Sequence, residues 1–145
     1  MVVFLDTNVL LDVFLERTGA SAGRQCLICP LVRGDYLHIA WHTVSNCHYM
    51  MRHRAKLPPA VCLDHIRDLN RLARVVPASN AEVEKALDLP MRDFEDALQI
   101  AAAVQCGADV IVTRNTNDFA ASPIPALTPE DFLAQYFLEA PPATP

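Results

Sequence analysis

The chain opens on an apolar run, Val2 to Leu5, that stops at Asp6. A short unbroken apolar segment is the pattern of a strand covered on both faces, as in a parallel sheet. Beyond it Val9, Leu10, Val13 and Phe14 recur at helical spacing, so a first helix is expected, capped by Thr7 or Asn8 and running to about Arg17. Ser21 is placed to cap a second helix to about Arg33, with Pro30 kinking or shortening it and Gly34 stopping it. Tyr36 to Trp41 reads as a strand, and Thr43 to about Arg54 as a helix carrying Asn46, His48, Tyr49 and His53. Pro58 and Pro59 open another helix to about Arg74, followed by a short strand, Arg74 to Pro77.

In the second half, Ser79 and Glu82 form a capping box for a helix ending near Leu87, and Pro90 breaks the chain. Residues 93 to 106 (DFEDALQIAAAVQC) are apolar nearly all round after the first turn, which predicts a buried helix stopped by Gly107. Asp109 to Thr113 reads as a further buried strand, and Thr128 to Asp131 as the start of a last helix. Strands alternating with helices imply right-handed crossovers and a mostly parallel sheet covered on both faces. The expected fold is α/β, a single three-layer α/β/α domain over 1–139 with a disordered, proline-rich tail over 140–145.

Composition narrows the class. At 145 residues, with 52% hydrophobic and 20% charged residues, the chain is too apolar for disorder. Asp6, Asp12 and Glu16 interrupt the opening segment, so neither a membrane span nor a signal peptide is read there, and a cytoplasmic protein is expected. The five cysteines, odd in number and set mostly among apolar neighbours, read as reduced thiols, the CxxC pair Cys26 and Cys29 included. The net charge of -5 is unevenly spread: residues 52 to 74 hold six basic side chains against two acids, leaving the remainder strongly acidic. Such an asymmetry suits a surface that grips a polyanion in one place and gathers cations in another; solvated helix faces explain the charges equally well.

In parallel sheets ligands bind outside the carboxyl ends of the strands. Asp6 with Asn8, Asp93 with Asp96, and Asn115 with Asp118 all fall at that edge. Capping explains each cluster singly, with Asp93 as the cap and Asp96 in the reciprocal position. A divalent cation of hard oxygen preference explains them together, because carboxylates held close repel one another. Asp12 reads as solvent-facing, and Trp41 and Tyr49 as core side chains, with base stacking the alternative for both aromatics.

These residues resemble the PIN domains, a family of metal-dependent nucleases, through VVFLDTNVLLD (2–12), DFEDALQIAAAVQCGADVIVTRN (93–115) and NDF (117–119). The three segments occur in the family's order and spacing and span almost the whole chain. The resemblance implies that Asp6 and Asp96 bind one metal, Mg²⁺ or Mn²⁺, with Asp93 an added acid, Thr113 the hydroxyl residue ending the strand, and Asn115, backed by Asp118, where many relatives carry an aspartate. It implies hydrolysis of single-stranded RNA leaving 5′-phosphate and 3′-hydroxyl ends, with Asn8, Arg52, Arg54, Lys56 and Arg114 near substrate. It further implies similarity to the toxin half of bacterial toxin and antitoxin pairs, with an antitoxin partner and homodimer pairing. One departure stands out: near Asn46, where the family places a glutamate, the local sequence has no carboxylate, which implies weaker metal binding. Two other readings stay open. One is a PIN-like module that binds RNA or protein without catalysis. The other is phosphoryl transfer through an aspartyl intermediate, which would want a second aspartate where Asn8 stands.

Overall fold

The computed structural model describes residues 1–138. The tail expected over 140–145, with residue 139, lies outside the described residues. Five strands, β1 (Val2–Leu5), β2 (Tyr36–Ala40), β3 (Ala73–Val76), β4 (Val110–Val112) and β5 (Ala126–Leu127), form one sheet in the order β3-β2-β1-β4-β5. Every pairing is parallel, with Phe4 opposite His38 on one side and Ile111 on the other. The seven α-helices are α1 (Thr7–Phe14), α2 (Ala20–Arg33), α3 (Trp41–Tyr49), α4 (Pro59–Leu72), α5 (Asn80–Leu87), α6 (Phe94–Gln105) and α7 (Pro129–Leu133).

The pleat of β1 divides the core. Val3 and Leu5 face one side with Val9 and Leu10 of α1, Cys26 and Leu27 of α2, Cys47 of α3, Leu69 of α4 and Phe132 of α7. Phe4 faces the other side with Ile100, Ala102 and Ala103 of α6 and with Phe119. α5 closes against α6 through Ala86, Ala97 and Ala101, small side chains that let two helices approach. The three-layer α/β/α architecture expected from the apolar pattern is therefore the one adopted. No helix among the described residues is long and apolar enough to cross a membrane.

Local differences have local causes. Asp6, rather than Thr7 or Asn8, is the N-cap of α1, accepting from the Asn8 backbone N–H at 3.3 Å. That helix ends at Phe14 instead of near Arg17, because Glu16 adopts a left-handed φ of 50°. Gly19, not Ser21, is the N-cap of α2, and Pro30 sits inside that helix without ending it, since Gly34 with φ of 90° makes the stop. α3 starts at Trp41 and gives way after Tyr49 to a π-type turn, Met50–Arg54. α4 ends at Leu72, where β3 takes over directly. The capping box of α5 and the Thr128 cap of α7 form as expected. β5, two residues beside β4, is an element the hydropathy pattern did not reveal.

Candidate active site

β1 ends at Asp6 and α6 begins just after Asp93, so the sheet brings the two ends face to face. Asp6 is almost wholly buried, and three groups hold its carboxylate: the Gln99 amide donates to Oδ1 at 2.9 Å, the Thr113 hydroxyl to Oδ2 at 2.8 Å, and the Asn8 N–H caps from the side. Burial pushes the Asp6 carboxyl above its ordinary range despite these bonds, with the negative charge of Glu95 adding to the rise.

Asp93 is the N-cap of α6, its Oδ1 accepting from the N–H groups of Glu95 (2.9 Å) and Asp96 (3.4 Å). Asp96 makes no reciprocal capping bond; it is 7% exposed and, among the described residues, has no hydrogen-bonding or ion-pairing partner for its carboxylate. Burial, then the charges of Asp93, Asp6, Glu95 and Asp118, push it up to about 7. Capping thus accounts for Asp93 and not for Asp96. Asn115 donates to Asp118 at 2.5 Å in a 3₁₀ turn, Thr116–Phe119, and Asp118 lines a depression of about 550 Å³ with Arg92, Asp93, Asp96 and Asn117.

Two residues of this centre escaped the sequence reading. Glu95 reaches across to α3 and α1: its Oε1 accepts from Asn46 Nδ2 (3.2 Å) and the Thr7 hydroxyl (3.3 Å), and from Gln99 Nε2 (3.3 Å) of its own helix. His42 Nε2 also stands 3.2 Å from that oxygen, though without the alignment of a hydrogen bond. Asn46 is therefore bonded to a carboxylate that comes from α6. Gln99 is fully buried and joins both acids, while its Oε1 accepts the Thr7 N–H at 3.2 Å. A lone amide in the apolar run ALQIAAAV was the signal available for it. Gln99→Met keeps the volume but leaves Asp6 and the Thr7 N–H each short of a buried partner. We expect a loss of about 1–3 kcal/mol in urea unfolding, and unchanged stability would show that the network carries no weight.

Several expected substrate contacts are placed otherwise. Thr113 is fully buried and donates to Asp6. Arg114 pairs with Asp12, which is buried rather than solvent-facing, and ties α1 to the loop after β4; Gly19 lies against this pair, where a side chain would displace the guanidinium. Arg52 donates to the Leu57 carbonyl at 2.6 Å and so braces the chain after α3. Arg67 and Arg71 on α4 pair with Asp64 and Asp68, which spends much of the basic segment on its own helix. Asn8 lies beside Asn46, Tyr49 and Glu95 in a smaller depression, and Arg54 is exposed. Trp41 and Tyr49, expected in the core, are 66% and 54% exposed.

The PIN domain family profile matches residues 2–117. The chain belongs to the PIN domain family. Among PIN relatives, Ribonuclease VapC1 of Aquifex aeolicus (strain VF5) is 28% identical over 140 residues, covering 92% of this chain and 94% of that protein. VapBC2 from Rickettsia felis, solved bound to a DNA fragment from its promoter, superposes with a TM-score of 0.70 at 13% identity, over 88% of this chain and 98% of that one. A toxin-antitoxin complex from Klebsiella pneumoniae gives a TM-score of 0.65 at 21% identity, over 88% and 97%. These structural likenesses show the PIN fold.

Proposed function

We propose that the protein is a metal-dependent endoribonuclease that hydrolyses phosphodiester bonds of single-stranded RNA and acts as the toxin of a toxin-antitoxin pair. The observation that carries the reading is Asp96, a buried carboxylate without a protein partner, facing the charges of Asp6, Glu95, Asp93 and Asp118. A cation relieves that repulsion, and an all-oxygen donor set selects Mg²⁺ or Mn²⁺. No three His, Cys, Asp or Glu side chains among the described residues stand close enough to form a ready-made metal cage. That suits Mg²⁺, which keeps several waters and binds through one or two carboxylates together with substrate phosphates.

Asp6 and Asp96 would hold the ion, with Glu95 turned toward its outer side. A bound ion supplies a water acidic enough to attack phosphorus and offsets charge on the leaving oxygen. Gln99 and Thr113 fix the Asp6 carboxylate so that it does not reorganise when the phosphate arrives. The products are a 5′-phosphate and a 3′-hydroxyl. An antitoxin partner, inserting into the acidic groove, belongs to this reading. Pairing of two copies belongs to the same reading and is measured by light scattering.

Cleavage of a fluorescently labelled single-stranded RNA should stop in EDTA and return with Mn²⁺, and calorimetry should show Mn²⁺ binding without RNA. Metal-independent cleavage would overturn the mechanism. Absence of both cleavage and metal binding would leave a non-catalytic module as the better reading.

A further inference from the structure

Beside the acids, Thr7, Asn8, Asn46 and Glu95 share a depression with Tyr49 and Met50. Tyr49, the last residue of α3, is 54% exposed, and its ring lies against His53 with centroids 4.8 Å apart and planes at 33°. The π-type turn Met50–Arg54 sets this geometry; such turns are found frequently at functional sites. Arg54, the last residue of that turn, and Lys56 just beyond it are exposed, and neither has an ion-pair partner among the described residues. By contrast Arg52, Arg67, Arg71 and Arg114 are all bonded to the protein. The cations left free in the basic segment therefore include two that follow directly on an exposed aromatic pair at the rim of the acid cluster.

An aromatic face next to free cations is the combination by which proteins hold single strands, the base stacking on the ring and the phosphates meeting the charges. We propose that Tyr49, backed by His53, is the stacking platform for an unpaired base one nucleotide from the scissile phosphate, with Arg54 and Lys56 receiving the phosphates that follow. This rests on the ribonuclease reading and adds to it the seat of the strand. Asn8, exposed in the same depression, would face that base's edge. Tyr49 is a binding and specificity residue here and takes no part in bond breaking.

Stacking on one aromatic side chain is worth about 1–3 kcal/mol per base, which corresponds to a roughly fivefold to 150-fold change in affinity. With a labelled single-stranded RNA and Mn²⁺, Tyr49→Ala should raise KM by at least about fivefold with kcat within about twofold, whereas Tyr49→Phe and Tyr49→Trp should behave as the parent. An RNA carrying a single abasic nucleotide, moved along the strand, should weaken binding to the parent at one position more than elsewhere. At that position it should leave Tyr49→Ala unaffected. Circular dichroism melts of each variant check folding. Equal KM for the parent and Tyr49→Ala, or an abasic penalty that persists in Tyr49→Ala, would overturn the platform while leaving the nuclease reading intact. If the parent cleaves no RNA, anisotropy with the same RNA decides: binding that weakens in Tyr49→Ala and not in Tyr49→Phe keeps the platform, and any other result removes it.

Discussion

Asp96→Asn is expected to abolish RNA cleavage and, in the same protein, to raise the melting temperature of the metal-free form at pH 8. The first effect follows from removing a carboxylate that would hold the ion, and should amount to a hundredfold or more. The second follows from the raised carboxyl, whose ordinary value of 3.8 moves to about 7 in the folded chain. Below about pH 3.8 the group is protonated in both states and weakens neither. Between there and pH 7 the unfolded chain releases the proton while the folded chain keeps it, so stability falls as pH rises through that window. Above pH 7 the whole penalty is present, a few kcal/mol at most by the linkage of 1.36 kcal/mol per pKa unit. An amide of the same shape carries none of it. Thermal melts at pH 5 and pH 8, with EDTA and with Mn²⁺, separate the contributions. The parent should be destabilised at pH 8 in EDTA and rescued by Mn²⁺, while Asp96→Asn should respond little to either. A variant that still cuts RNA, or that melts lower at pH 8, would count against the site. Asp6→Asn is the matching control, because asparagine still caps α1.

Glu95→Gln should weaken Mn²⁺ binding by about tenfold to a hundredfold, the range for losing a group that supports a metal's ligands. Asn46→Glu with Glu95→Gln should recover most of it, since the double variant only exchanges acid and amide across one 3.2 Å contact. Asn46→Glu alone sets two carboxylates against each other. It should bind Mn²⁺ more tightly than the parent, cut RNA faster, and melt lower when the metal is removed. Calorimetry and melts read all three variants without relying on turnover. If Glu95→Gln binds Mn²⁺ as the parent does, Glu95 only braces Asn46 and Thr7, and the acid missing from α3 has no replacement.

The elements that bury a continuous apolar surface were legible in the sequence. Val2 to Leu5 has the pattern of a covered strand, and the run from Ala97 to Ala103 that of a covered helix, although Val104 at its end is exposed. The parallel sheet and its acidic edge follow from those two. What escaped was whatever depends on a distant neighbour. Ala126 and Leu127 form a strand because β4 offers them an edge, and two residues carry no period of their own. Asp12 is buried because Arg114, 102 residues away, reaches it. Trp41 and Tyr49 are apolar enough for a core but stand at places on α3 that the other described residues leave exposed. Glu95 was hidden differently: it adjoins Asp96 in sequence, yet successive helical residues point about 100° apart, so the two acids serve opposite sides of the centre.

That divergence bears on how such nucleases change over generations. Because the start of α6 meets α3 at the Glu95–Asn46 contact, either segment can supply the carboxylate at that point with the local charge unchanged. Relatives without an acid in the third helix are then best compared by the residue that precedes the aspartate of their DALQ-like stretch, where Glu95 stands in this chain.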